Sequence, residues 1–362
     1  MNKEKILYLV NHLSLHGGIE KIVTDKINAW IEMYNFDVIL VTKNQISENF
    51  IYKINPKTKH IDLQIKNKTG KFYFISNLMN YIRFYWKVSQ ILTKHNPKVL
   101  FSTLTSIDAL LVPFLPTKTK KIVEFHHPGM FLSKNWSIKK WIYKHYHKAI
   151  VLNNDEVKYY KLKNISVIQN FINIETKKNE NNENIILAAG RIDEIKQYDH
   201  LIDVWSKIRE NHKNWSVYLY GNGNNELQKK LRQKIDELNL GDNFHLCAAI
   251  ENNKLLKLMS KSKIYTVTSY SECFPMIILE AMSKGMVVVS YDCPNGPRNI
   301  INNNIDGILI PSGDKILFAE TLDKLISDEN KQKYLRANAL VNVKNFGKNN
   351  IMNKWFDLVN NL

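Results

Sequence analysis

Residues 264–282 read IYTVTSYSECFPMIILEAM, and this stretch contains three segments of different character. The run Ile264 to Thr268 has the length and β-branched composition of a buried strand. A polar loop containing Glu272 follows. Pro275 then opens an apolar stretch, as proline commonly does in the first turn of a helix. The order strand, loop, helix is the repeating unit of an α/β fold.

Strand-length apolar runs recur along the chain and alternate with longer segments of helical period, which predicts parallel sheets connected by crossover helices. Residues 173–184 are polar, as in a linker, and divide the chain into predicted α/β domains at residues 1–172 and 185–348. The predicted strands are Ile6 to Val10, Asp37 to Thr42, Val99 to Ser102, Lys121 to Phe125, Ala149 to Leu152, Ser166 to Ile168, Ile185 to Ala189, Trp215 to Tyr220, Phe244 to Leu246, Ile264 to Thr268, Val287 to Ser290 and Gly307 to Ile310.

The 362-residue chain carries 51 Lys and Arg against 34 Asp and Glu, a formal charge of +17. Residues 1–175 hold 26 basic and 12 acidic residues, whereas the remainder holds 25 and 22. The basic half predicts an anionic partner: nucleic acid, phosphates or a membrane surface. A hydrophobic content of 44% excludes a disordered or fibrous chain.

The cysteines indicate a reducing compartment. Cys247, Cys273 and Cys293 are odd in number and lack metal-ligand spacing. The first apolar run is too short for a signal peptide, and no stretch is long enough to span a bilayer. We therefore expect a cytoplasmic protein that meets a membrane only at its inner surface.

Two loops that follow predicted strands have the composition of phosphate-binding loops, and ligands of open parallel sheets bind at such positions. Gly17 and Gly18 precede a predicted helix, whose amides would face a phosphate or sugar. Arg191 and Lys196 could neutralise a diphosphate, one as a planar fork and the other as a point charge. Both loops are also compatible with plain surface turns.

Carboxylates and histidines follow other predicted strands. Glu272 precedes the otherwise apolar run Met276 to Ala281 and Glu280 lies inside it, where a carboxylate costs roughly several kcal/mol unless it is hydrogen-bonded. Ligand hydroxyls could be that partner. A capping or structural carboxylate is the alternative. His126 or His127 could hydrogen-bond a substrate hydroxyl or share a proton with a leaving group, although a structural histidine is also compatible with the pattern.

Taken together, these motifs resemble the retaining nucleotide-sugar glycosyltransferases of family 4, of the bacterial surface-polysaccharide type. The family has the GT-B fold, in which two Rossmann-like domains face each other across a cleft. The resemblance extends over the whole chain and is strongest from Gly190 to Ile310. There the Gly-Arg…Lys segment, the two glutamates, the run Ala281 to Gly285 and the run Asp292 to Arg298 occur in the family's order.

The resemblance implies a donor site for a nucleotide-diphosphate sugar. Arg191 and Lys196 would bind the diphosphate, while Glu272 and Glu280 would contact the hydroxyls of the sugar and of the ribose. The implied donor-binding residues are Gly17, Gly18, Gly190, Arg191, Lys196, Gly221, Glu272, Phe274, Pro275, Met276 and Glu280. The implied catalytic residues are Glu272, His126, Lys196 and Arg191.

The match to the family is incomplete at three points. Cys273 stands where glycine is common, and Gln197 stands where a glycine often follows the lysine. Of the two adjacent histidines, His126 matches the active-site histidine better, but the sequence leaves His127 open.

The resemblance also implies a mechanism, a donor and an acceptor. The sequence contains no Asp-x-Asp motif, so we expect no metal and no other cofactor. Lys196, Arg191 and helix amides would stabilise the departing diphosphate. The expected reaction transfers a hexose or N-acetylhexosamine, with retention, from UDP to a glycan acceptor that is often lipid-linked in this family. The final segment, Asn349 to Leu362, would return to the first domain.

Residues 51–150 hold 18 basic and only 3 acidic residues, within which two aromatic-rich stretches are expected to contact an anionic membrane. The first is Phe72 to Lys94, whose wide apolar arc could instead cover the sheet. The second is Lys134 to Lys148. The residues expected at the acceptor or membrane are Lys139, Lys140, Lys144, Trp136 and Trp141.

Two other functions remain open from the sequence. A nucleotide-sugar epimerase of GT-B-like architecture would share the donor-site motifs. A nucleic-acid-binding protein would use the basic, aromatic-rich half to hold phosphates and stack bases. That second alternative gives no role to Glu272 and Glu280.

Overall fold

A computed structural model describes residues 3–15, 17–47, 49–66, 74–104, 106–132, 136–174 and 183–362. The chain divides into two compact units: the first is Met1–Phe171 with Lys348–Leu362, and the second is Ile172–Gly347. The second unit thus begins at Ile172 rather than at residue 185. Most of the predicted linker, residues 175–182, lies outside the described residues.

The first unit contains a seven-stranded parallel sheet of order β3-β2-β1-β4-β5-β6-β7. Its strands are β1 (Lys5–Val10), β2 (Asp37–Thr42), β3 (Lys59–Asp62), β4 (Val99–Ser102), β5 (Lys120–Glu124), β6 (Lys148–Val151) and β7 (Ile165–Val167). Its first five helices are α1 (Gly18–Tyr34), α2 (Phe74–His95), α3 (Ile107–Leu111), α4 (Trp136–Tyr143) and α5 (Asn154–Tyr160).

The second unit contains a six-stranded parallel sheet of order β10-β9-β8-β11-β12-β13. Its strands are β8 (Glu183–Ala189), β9 (Ser216–Tyr220), β10 (Phe244–Cys247), β11 (Ser262–Val267), β12 (Val287–Asp292) and β13 (Ile308–Pro311). Its helices are α6 (Tyr198–Ile208), α7 (Asn225–Glu237), α8 (Asn252–Met259), α9 (Met276–Ser283), α10 (Lys315–Ser327) and α11 (Glu329–Asn342). The last helix of the chain, α12 (Lys348–Asn360), belongs to the first unit.

Both sheets have the strand order of Rossmann-like domains, which confirms the predicted α/β fold class. In each sheet the order reverses beside the first strand, at β1/β4 and at β8/β11. Ligands of such sheets bind beyond the carboxyl ends of the strands at that reversal. The loops after these four strands are therefore the expected positions of ligand-binding and catalytic residues.

Buried apolar side chains cover both faces of the first sheet. On one face, α1 and α12 contribute Trp30, Ile351 and Trp355 to the core. On the other face, α2 contributes Phe84 and Val88. Among the described residues, no helix combines the length and apolar character needed to cross a bilayer.

Candidate functional site

The loops that follow β8 and β9 are joined by backbone hydrogen bonds. The Gly190 amide donates to the Tyr220 carbonyl (3.0 Å), and the Ile192 amide donates to the Asn222 carbonyl (2.9 Å). Side chains are excluded where the loops meet, because a Cβ on Gly221 would overlap the carbonyl oxygen of Gly190. The predicted donor-site residues Gly190 and Gly221 thus allow two strand ends to approach closely.

Asp193 organises the loop that carries the predicted diphosphate ligands. Its side chain accepts from the Lys196 amide (3.3 Å) and so caps the short 3₁₀ turn Glu194–Lys196. It also accepts from Arg191 Nε at 2.6 Å. The Arg191 side chain is 74% exposed. Asp193 therefore holds the backbone of Lys196 and the side chain of Arg191, a role that the sequence motif did not reveal.

Lys196 and Glu272 form the centre of the candidate site. Lys196 Nζ donates to Glu272 Oε1 at 2.6 Å, and the two side chains are 25% and 14% exposed. Ser269 Oγ donates to the same carboxylate oxygen at 2.7 Å. The backbones are joined as well, since the Tyr270 amide donates to the Ile195 carbonyl at 2.7 Å. The loops after β8 and β11 therefore hold a lysine and a carboxylate in direct contact.

Helix α9 begins beside this pair. Pro275 precedes its first turn, and among the described residues no side chain caps that end and no acidic residue lies in the first turn. The unpaired amides of a helix N-terminus favour an anion. The amides near Phe274 and Met276, together with Lys196, could therefore hold a phosphate group. Phe274 itself is buried and lies 6.0 Å from the Phe346 ring.

Gly296 allows the loop after β12 to approach Glu272. A Cβ on Gly296 would lie 2.5 Å from the Glu272 Cβ and 3.1 Å from the Pro275 Cδ. The sequence analysis placed Gly296 in a family run without assigning it a role. The close approach could not be read from the sequence because it depends on the packing of two loops.

Glu280 lies one turn into α9 and is half-buried. The Glu280 charge acts on the hydroxyl of Tyr265, which contacts the carboxyl end of β8. Burial raises the pKa of Tyr265, and the charges of Glu280 and Glu272 raise it further. The Tyr265 hydroxyl donates to the Ala189 carbonyl at 3.0 Å. Both carboxylates therefore act at the end of the strand that precedes Gly190.

Gln197 adopts a left-handed backbone conformation, with φ of 45°. Non-glycine residues pay roughly 1–2 kcal/mol for this conformation. The turn between Lys196 and α6 therefore explains why glycine is common at this position in the family that the sequence resembles. The Cys273 side chain is accommodated as a buried group in the loop before α9.

In the first unit, a buried network surrounds His126. Lys26 Nζ donates to Glu124 Oε2 at 2.5 Å, with the two side chains 0% and 1% exposed. His126 Nε2 lies 3.2 Å from the same oxygen. Burial alone would raise the pKa of Glu124, but the Lys26 charge and the His126 hydrogen bond outweigh it and hold that pKa at about 2.

The network distinguishes the two adjacent histidines. The ionised Glu124 accepts hydrogen bonds only, so Nε2 of His126 carries a proton and Nδ1 faces away from the carboxylate. His127 is exposed, and its backbone carbonyl accepts from Tyr160. His126 is therefore the histidine whose orientation is fixed.

Gly17 and Gly18 lie at the N-terminus of α1, after β1 at the reversal of strand order. A Cβ on Gly17 would overlap Oε2 of Glu20, whereas nothing lies within 4 Å of that position on Gly18. A carboxylate of the first helical turn thus lies against one of the two predicted phosphate-contacting glycines. His16, in the same loop, is outside the described residues.

The aromatic residues expected at the membrane have different environments. Trp141 is 57% exposed. Trp136 is half-buried and packs against Phe125, Tyr143 and Tyr160, so its position at a membrane stays a prediction. Its spacing from Trp141 places it on the opposite, core-facing side of α4.

Comparison with known proteins supports this description of the chain. Residues 170–341 match the family model "Glycosyl transferases group 1". The amylovoran biosynthesis glycosyltransferase AmsD of Erwinia amylovora is 23% identical, over 98% of this chain and 99% of that protein. An α-1,4-N-acetyl-D-galactosaminyltransferase of Campylobacter jejuni, which acts on a diphospho-undecaprenol-linked GalNAc-GalNAc-diNAcBac, is 24% identical over 98% of each chain.

The fold has close counterparts among solved structures. TarM superimposes with a TM-score of 0.84 at 16% identity, over 99% of both chains. The chain shares this two-domain GT-B architecture. Through residues 170–341, it is similar to the group 1 glycosyl transferases.

Proposed function

We propose that this glycosyltransferase moves a hexose or N-acetylhexosamine from UDP to a glycan acceptor, often lipid-linked, in bacterial surface polysaccharide synthesis. The contact between Lys196 and Glu272 beside the uncapped start of α9 carries the proposal. A cation and helix amides suit a diphosphate, and a carboxylate suits sugar hydroxyls. A structure of the Staphylococcus aureus TarM contains UDP, which supports the choice of nucleotide.

The Lys196–Glu272 ion pair suggests how a donor would enter. A diphosphate carries more charge than one carboxylate and would compete for the Lys196 ammonium. Glu272 would then accept hydrogen bonds from the sugar hydroxyls, with Ser269 still holding one oxygen. In the proposed retaining step, the bond from the anomeric carbon to the acceptor oxygen forms as the bond to the phosphate oxygen breaks. The leaving diphosphate takes the acceptor's proton, and Lys196 and Arg191 stabilise its charge.

Incubation with UDP-N-acetylglucosamine or UDP-glucose, without acceptor, tests this function. Because water replaces the missing acceptor, we expect slow release of UDP and of a free sugar. That sugar should be the same epimer as the sugar of the donor. EDTA should leave the rate unchanged, since Lys196 and the helix amides neutralise the diphosphate. Chromatography and NMR of the products provide the measurement. Epimerised sugar would instead indicate an epimerase, and a rate restored only by a divalent ion would contradict the metal-free mechanism.

We also propose that an aromatic surface of the first unit lies on an anionic membrane. The residues of this aromatic surface are all exposed: Leu78, Met79, Ile82, Trp86, Phe114 and Trp141. Helix α2 therefore has two apolar sides, since Phe84 and Val88 on its other side pack on the sheet. Ring contacts connect Phe114 to His145 (5.6 Å) and His145 to Trp141 (5.2 Å).

Basic side chains border the aromatic surface. Lys144 is exposed and lies 5.0 Å from the centre of the Trp141 ring. Lys139 and Lys140 are half-buried on α4. Exposed aromatic groups beside lysines suit the headgroup region of an anionic leaflet. The positive charge of these lysines therefore favours an anionic lipid surface over an uncharged partner.

Replacing Lys139, Lys140 and Lys144 together by glutamine should weaken binding to phosphatidylglycerol vesicles about 100-fold, at about 1 kcal/mol for each lysine. Vesicle flotation at low salt gives the measurement. The control replaces the exposed lysines Lys207, Lys229 and Lys230 of the second unit, a change of equal charge. Equal binding by both triple variants would refute the membrane surface.

A further inference from the structure

A basic pocket lies at the edge of the first sheet opposite to the loops that carry Gly17 and His126. Because all seven strands are parallel, their amino ends share one edge. There, β1, β5 and the segment before β4 border a pocket of about 620 Å³, a volume within the range of small-molecule sites. Its basic lining side chains are Lys3, Lys5, His95, Lys98, Lys118 and Lys120.

The charge of this pocket is poorly compensated. Glu4 is the one side-chain carboxylate among the lining residues, and it accepts from Lys98 Nζ at 2.8 Å. In the described part of the chain, no carboxylate lies within 4.0 Å of the ammonium groups of the other four lysines. Like charges that line one pocket repel one another unless an anion joins them.

The pKa shifts of two histidines reflect the same excess of positive charge. Burial lowers the pKa of His95, and Lys59, Lys94 and Lys5 lower it further. Burial likewise lowers the pKa of His147, next to Lys120 and Lys121. No acidic group contributes to either shift, so the positive field extends along the strand beginnings.

The sequence explains how the field arises. Strands β1, β3, β5 and β6 each begin with a lysine, and Lys98 directly precedes β4. In a parallel sheet this repetition collects the side chains at one edge. Part of the basic surplus of the first half therefore lies at the amino ends of the strands. The loops that carry Gly17 and His126 lie at the opposite, carboxyl ends.

We propose that this pocket binds an anion with clustered phosphates, as a second ligand site separate from the donor site. Lysine ammonium groups act as point charges that suit phosphate oxygens. Several of them around one concave site favour adjacent phosphates over a single carboxylate. The phosphates can belong to a free oligophosphate or to a phosphorylated lipid headgroup.

Calorimetric titration of inorganic tripolyphosphate into wild type and into Lys196→Ala, in which the donor site is weakened, tests the proposal. Lys118→Gln/Lys120→Gln should weaken binding about tenfold or more, because two charge-assisted contacts are lost. Lys118 is exposed and Lys120 is half-buried, and neither forms an ion pair with any described residue, so the fold is expected to persist. The thermal unfolding midpoint checks this. The control Lys229→Gln/Lys230→Gln changes the charge equally in exposed positions of the second unit.

The proposal is overturned if wild type does not bind tripolyphosphate, or if both double variants bind it equally. A second arm identifies the source of the phosphates. Loss of binding to vesicles of cardiolipin, whose headgroup carries two phosphates, by the pocket variant alone would assign them to a headgroup, and unchanged vesicle binding to a free molecule. Neither arm measures sugar transfer, so failure of the donor-site assignment would be seen separately.

Discussion

Replacing Lys26 by methionine is expected to lower the free energy of unfolding by about 3–5 kcal/mol, because the Glu124 carboxylate would remain buried without its counter-ion. The lysine also lies 4.2 Å from the Trp355 ring of α12, so its loss loosens the last helix. Urea unfolding followed by tryptophan fluorescence measures the change. Lys21→Met is the matched control on α1, since Lys21 pairs with Asp25 near the surface and should cost at most about 1 kcal/mol.

The acid dependence of stability gives a second check on this pair. A carboxyl group whose folded pKa is depressed adds stability that is present above its ordinary pKa and is lost as pH falls towards about 2. That contribution should shrink in Lys26→Met, because the main attraction to Glu124 is gone. A variant as stable as wild type at neutral pH, with the same acid profile, would show that the ion pair is not needed.

Lys196→Ala is expected to lower kcat/KM for sugar transfer about 100-fold or more, because one preorganised cation at a leaving group is worth that much. Glu272→Gln should reduce transfer as well, since a neutral amide accepts hydrogen bonds from sugar hydroxyls less strongly. The control is Lys207→Ala, an exposed lysine of α6. Full activity in Lys196→Ala would remove Lys196 from the mechanism.

The strand pattern was readable because most strands are buried and therefore apolar. All twelve predicted strands are present, within a few residues of their predicted ends. The missed strand, β3, reads KHID and lies at the edge of its sheet, with two exposed and two half-buried residues. A strand that contributes so little to the core has no apolar run to reveal it.

The candidate site was predictable in part. Lys196 and Glu272 are 76 residues apart, and the sequence placed each of them in a loop after a predicted strand. Asp193 and Ser269 were missed because their contacts depend on the conformation of their own loops. Gly296 was missed because its role depends on the contact between two loops. Lys26 was missed because a lysine on a helix gives no sign that it is buried.

The central claim is that Lys196 binds the diphosphate of a nucleotide-sugar donor. Calorimetric titration of UDP into wild type, Lys196→Ala and Glu272→Gln tests it most directly. UDP lacks the sugar, so Glu272→Gln should bind it no more weakly than wild type, whereas Lys196→Ala should bind it about tenfold or more weakly. Wild-type affinity for UDP in Lys196→Ala would contradict the claim.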